Sequence, residues 1–116
     1  MRPLEARKYL FDIKQACGLL LQFTDGRTFD DYEKDPLLRS AVERQFEIIG
    51  EALGRALQVE PDLADEVTDS GRIIAFRNRL IHGYASISDA VVWGVIESNL
   101  PTLHREVEAL LGEDED

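Results

Sequence analysis

Residues 35–57 read D-P-L-L-R-S-A-V-E-R-Q-F-E-I-I-G-E-A-L-G-R-A-L, and this stretch decides the fold class. Leu38, Val42, Phe46, Ile49, Leu53 and Leu57 recur at steps of three and four, the period of one helix face. Asp35 stands where a carboxylate can accept from the open N–H groups of a first turn. Pro36 occupies the position where a missing N–H costs nothing. Glu60-Pro61 ends the run, because proline disfavours helical backbone in the residue before it. Gly50 and Gly54 lie four apart and share a face. Each glycine costs about 1 kcal/mol relative to alanine inside a helix. Their presence therefore predicts the close approach of another helix.

The same period extends to both sides. A first helix is expected over about Pro3 to Phe23, with Leu10, Ile13, Cys17, Leu20 and Leu21 on one stripe and Asp25-Gly26 as its stop. Thr28-Phe29-Asp30-Asp31 reads as the cap of a short helix through Tyr32. Asp69 or Ser70 can cap a further helix carrying Ile73, Ile74, Phe76, Leu80 and Ile81 and stopping near Gly83. Ser88 can cap the last, with Val91, Val92, Val95, Ile96, Leu100, Leu103, Val107 and Leu110 inward. Pro101 falls inside that pattern and should kink or split it. No sustained period-two alternation points to strands. The expected fold is all-α, an antiparallel bundle of four main helices plus a short one.

At 116 residues the chain has room for one core. A single helical domain over 1–111 and an acidic C-terminal tail over 112–116 are expected. An apolar content of 44% fits a globular protein. No run approaches the ~20 apolar residues of a membrane span, no apolar core of a signal peptide follows Met1, and Cys17 has no partner for a disulfide. The expected location is the cytoplasm. The net charge of −10 argues against a generally basic nucleic-acid binder, so any RNA site must be a local basic patch.

Several chemistries find no material. There is no phosphate-binding glycine loop before a lysine, no nucleophile elbow and no calcium loop. His82 and His104 are far apart and Cys17 is remote from both, so no metal site and no cofactor is expected. Glu43, Glu47 and Glu51 read as a solvated helix face paired with arginines such as Arg44. Cys17 and Trp93 read as packing residues, and His104 as a surface residue.

One constellation remains. Arg77-Asn78-Arg79-Leu80-Ile81-His82-Gly83-Tyr84 gathers two arginines, a histidine and a tyrosine, with Arg72 upstream. Cations in a last helical turn, followed by glycine in a left-handed cap, satisfy helix termination without any function. The functional reading rests on chemistry. Arginine grips phosphate through a planar fork, and histidine exchanges protons near neutrality. Arg77 and His82 are about 140° apart around a helix, so they share no narrow stripe but could line opposite edges of a groove facing a second helix. His82 could draw the proton from a ribose 2′-hydroxyl while Arg77 stabilises the phosphorane and Asn78 orients either group. One Arg and one His make a thin site, which a symmetric dimer would double.

The run R-N-R-L-I-H-G-Y resembles the R-x-x-x-x-H-x-Y signature of HepT-like proteins in the HEPN superfamily, including the polar residue after the arginine. Residues 41–52 look like that family's central helix, and 92–101, Pro101 included, like its last. The similarity runs over about residues 4–111. Gln45 stands where the family often has a basic residue. The resemblance implies a homodimeric bundle acting as a metal-independent ribonuclease toxin, with transfer RNA among its target class. Its partner would be a minimal nucleotidyltransferase antitoxin. Arg77 and His82 would be the catalytic pair, Asn78 a supporting residue, and Arg72 and Arg79 RNA contacts. Tyr84 would be the site at which the partner attaches AMP. The competing expectation is a non-catalytic helical module that binds and positions the nucleotidyltransferase, and the acidic composition suits it.

Overall fold

The computed structural model describes residues 2–83 and 87–114. They form six helices: α1 (Leu4–Thr24), α2 (Phe29–Lys34), α3 (Pro36–Val59), α4 (Leu63–Glu66), α5 (Ser70–His82) and α6 (Asp89–Asp114). No strand occurs among the described residues. Four helices are long and two are short, so the expected all-α bundle gains one element, α4. None of the helices is long and apolar enough to cross a membrane among the described residues.

The helix starts follow from side-chain capping. Asp35 accepts from the Leu37 and Leu38 amides at 3.1 Å, with Pro36 opening α3. Thr28 and Asp31 form a reciprocal capping box on α2, at 3.2 and 2.9 Å. These bonds favour the charged form of Asp31 and hold its carboxyl below the usual range. The Ser88 hydroxyl accepts from the Val91 amide at 3.2 Å at the start of α6. Asp25-Gly26 does stop α1, with Gly26 at φ 71°, a conformation that glycine enters without steric cost.

Two expectations about helix ends are corrected. Asp69 precedes α5 but caps nothing with its side chain; it sits in left-handed backbone at φ 57°. Ser70 lies inside the helix and its hydroxyl donates to the Ala64 carbonyl at 3.5 Å. Gly83 ends α5 as predicted, its amide donating to the Arg79 carbonyl at 2.8 Å, yet at φ −103° rather than in a left-handed cap. Pro101 does not split the last helix, which runs through it to Asp114. The first residues of the acidic run thus continue α6.

The core is built by α1, α3 and α6, with α1 packed on both of the others. Leu10, Ile13 and Leu20 of α1 meet Val42, Ile49 and Leu53 of α3 and Leu100 and Val107 of α6, all essentially inaccessible to water. Cys17 is among them, and burial pushes its thiol up to about 12, which makes it an inert packing group. Tyr32 of α2 is fully buried and tilts against Trp93 at 5.5 Å between ring centres. Arg2 ties the chain start to Glu60 and Glu66 at 3.3 and 3.4 Å. Thr68 donates twice to Glu106, fixing the approach to α5 against α6.

α5 is the exception. It packs on α3, and its only buried residue is Ser70. Ile73, Ile74, Phe76 and Leu80 are half-buried and Ile81 is exposed. On α6, Val91 is 48% exposed instead of inward. A cleft lies between the two helices, lined by residues of both.

Candidate functional site

The motif occupies the last two turns of α5, and Gly50 sets its position. A Cβ on Gly50 would come within 2.6 Å of Arg77 Cγ, closer still to its Cβ, and 3.5 Å from its Cα. Only a residue without a side chain admits the Arg77 stem against α3. The predicted close approach therefore exists at Gly50. Gly54 has nothing within 4 Å, and no feature of the fold explains it. Arg77 is half-buried. Its Nη1 donates to Asn78 Oδ1 at 3.2 Å, and its Nε is buried with no hydrogen-bond partner among the described residues.

His82 lies on the other side of the helix, exposed to solvent in the last turn. Five residues of helix turn the two side chains about 140° apart. A single copy therefore does not bring Arg77 and His82 face to face. Asn78 is exposed on the outward surface. Tyr84 lies outside the described residues.

Arg72 and Arg79 are both exposed and both line the cleft between α5 and α6, which has a volume of about 450 Å³. Its floor is apolar: Phe46 and Ile49 from α3, Phe76 from α5, Leu100 and Leu103 from α6. Phe46 and Phe76 meet edge to face at 5.3 Å. Neither Arg77 nor His82 lines this cleft. The sequence pattern does not show the cleft, because Val91 fits the helical period of an inward face yet stands exposed in its wall, beside the half-buried Val95.

Arg79 also borders a small hollow of about 50 Å³ with Glu43, Gly83 and Asp89. The glutamate row is thus not uniform. Glu47 pairs with Arg44 and Glu51 with Arg55, both at 3.4 Å. Glu43 is half-buried. Loss of water, then the nearby Asp89 and Glu47 charges, raise its carboxyl above the usual range, against a smaller opposing effect of Arg39. His104 is half-buried and lies 3.6 Å from Glu108 on the same helix. No three metal-ligating side chains converge among the described residues.

The fold and the motif define a helical bundle with two arginines and a histidine gathered at the end of one helix. Residues 13–110 match the family described as Ribonuclease HepT-like. The chain is 34% identical over 105 residues to a protein named "Putative RNase" from Caldanaerobacter subterraneus subsp. tengcongensis, covering 90% of this chain and 93% of that one. It is 32% identical over 104 residues to "Probable ribonuclease HepT" of Thermococcus cleftensis, covering 90% and 94%. No solved structure matches the chain. The chain belongs to the HepT-like ribonuclease family.

Proposed function

We propose that this protein is a metal-independent endoribonuclease toxin whose active centre is built from Arg77 and His82 of two copies. The observation that carries the reading is their arrangement on α5 in a member of this family. His82 is open to substrate, Arg77 is seated against Gly50 with its guanidinium held by Asn78, and the two point to different sides. A two-fold axis beside α5 would set each His82 near the partner's Arg77. Ile81, exposed next to His82, gives such a contact an apolar residue to cover.

The chemistry is intramolecular attack by a ribose 2′-oxygen on the adjacent phosphorus. One His82 imidazole accepts the hydroxyl proton as the new P–O bond forms. The Arg77 guanidinium neutralises the charge on the non-bridging oxygens. The P–O5′ bond breaks, and a protonated His82 from the second copy donates to the departing oxygen. The products are a 2′,3′-cyclic phosphate and a 5′-hydroxyl end. RNA, with transfer RNA as one candidate, is the substrate, in the cytoplasm. A minimal nucleotidyltransferase is the antitoxin, and Tyr84 is its AMP acceptor; added bulk and negative charge there would repel an RNA phosphate.

The test is cleavage of total RNA and tRNA in EDTA by unmodified protein, beside Arg77→Ala and His82→Ala. Cleavage by the parent alone, leaving cyclic phosphate ends, is expected. An intact, unmodified dimer that cleaves nothing and does not arrest growth when expressed would favour the non-catalytic nucleotidyltransferase-binding module, the reading that the net charge of −10 suits.

A further inference from the structure

We infer that the cleft between α5 and α6 is a nucleobase subsite: it takes one unstacked base of a single-stranded RNA, with Arg72 on the phosphate beside it. The inference rests on the ribonuclease reading above and adds to it the form in which the RNA is held.

Four observations converge. The cleft volume of about 450 Å³ falls in the range of small-ligand sites, roughly 300–1,000 Å³. Its floor presents Phe76, half-buried and braced edge-on by Phe46, and aromatic faces of this kind stack bases. Its lining carries two arginines, Arg72 and Arg79, against one carboxylate, Asp69, on a chain whose net charge is −10. A local concentration of cations on an acidic body is what phosphate needs. Finally, Arg72, Ala75, Arg79 and His82 recur at steps of three and four, so they form one stripe of the helix. The edge of the cleft therefore leads along α5 to His82, about 4.5 Å of helix rise beyond Arg79. A strand lying on this stripe with one base turned inward would bring a neighbouring phosphate to the histidine. Asp69 and Asn99, which also line the cleft, offer hydrogen-bonding groups to the base edge.

The subsite predicts a preference for unpaired RNA, because a stacked base in a duplex cannot enter. It also separates binding from chemistry, since none of its residues is Arg77 or His82.

The experiment measures binding without cleavage. A labelled single-stranded 2′-O-methyl oligonucleotide and its abasic sugar-phosphate counterpart are titrated by fluorescence anisotropy. The parent should bind the base-bearing strand roughly tenfold tighter, the scale of one base–aromatic stack. Ala75→Trp and Asn99→Trp fill the cleft from opposite walls at exposed helix positions. Both should abolish that preference, and Asn99→Trp, which stands on α6 away from the stripe that carries the strand, should leave abasic binding unchanged. Arg72→Ala should weaken both strands alike and lower the salt slope by about one. Retained preference in the two tryptophan variants, or no preference in the parent, overturns the subsite. So does conversion of a parental dimer to monomer by those variants in sedimentation, which would show that a second copy covers the cleft. Base-dependent binding by a protein that cleaves nothing would instead sink the ribonuclease reading and leave the subsite standing.

Discussion

Gly50 and Arg77 meet where α3 and α5 cross, and the glycine's missing side chain is the space that the arginine stem fills. Gly50→Ala must push α5 outward, because the atoms in the way, Arg77 Cβ and Cγ, are held close to the backbone. Overpacking of this kind costs about 1–3 kcal/mol, against a gain of about 1 kcal/mol in helix propensity. Gly54→Ala meets open space and should keep that gain. Thermal unfolding should therefore place Gly54→Ala above the parent and Gly50→Ala below it, with RNA cleavage reduced only in the latter. Equal shifts of the two midpoints would mean that the contact does not constrain α5.

Tyr32→Phe should leave stability unchanged or raise it by about 1 kcal/mol. The hydroxyl is buried with no hydrogen-bond partner among the described residues, and burial pushes its ionisation well above the usual range. Phenylalanine keeps the ring against Trp93 and removes an unsatisfied dipole. Chemical denaturation would check this. A large loss on substitution would show that the hydroxyl does have a partner in solution.

Glu43→Gln should stabilise the fold at neutral pH and do less so in acid. The Glu43 carboxyl is raised above its ordinary 4.5 by burial first and by Asp89 and Glu47 second. The folded state thus holds this proton more tightly than the unfolded chain. Below about pH 4 both states are protonated and no penalty exists. As pH climbs through the ordinary value the unfolded chain ionises first, and stability falls until the folded carboxyl has ionised too. The difference in melting midpoint between variant and parent should grow from pH 4 to pH 7. A difference independent of pH would remove Glu43 as the cause.

The aspartates that precede α3 and α5 should behave oppositely. Asp35→Ala deletes two capping bonds to α3 and should cost about 1 kcal/mol. Asp69 makes no capping bond and occupies left-handed backbone, which disfavours residues with a Cβ by about 1–2 kcal/mol. Asp69→Gly should then raise the melting midpoint. A fall would indicate that its carboxylate does work the geometry does not reveal.

Most of the bundle was legible because its signals are local. Asp35-Pro36, Thr28 with Asp31, Asp25-Gly26 and Ser88 each mark a helix end through a bond or a torsion between near neighbours in sequence. Periodicity identified Leu10, Val42, Leu53 and Val107 as core because those faces are covered from several sides. It failed for Val91 and Ile81, whose spacing is equally regular, because period reports that a helix has an apolar face and not whether anything packs on it. The motif residues were legible by type. Their separation to different sides of α5 followed from helix geometry, but the seat of Arg77 on Gly50 depended on a crossing point that no local pattern encodes. Pro101 does not split α6 for a related reason: the residues on both sides of it, Ile96 and Leu100 before and Leu103 and Val107 after, are anchored in the core.

The shallow seating of α5 has a consequence for how the protein moves. A helix held mainly by one neighbour, with Ser70 as its only buried residue, is a unit that can open while α1, α3 and α6 stay closed. Its backbone amides should exchange with deuterium well before those of the three core helices. Association with a second copy or with RNA would then tighten the helix that carries Arg77 and His82, and the slowing of exchange along residues 70–82 would report assembly of the working enzyme directly.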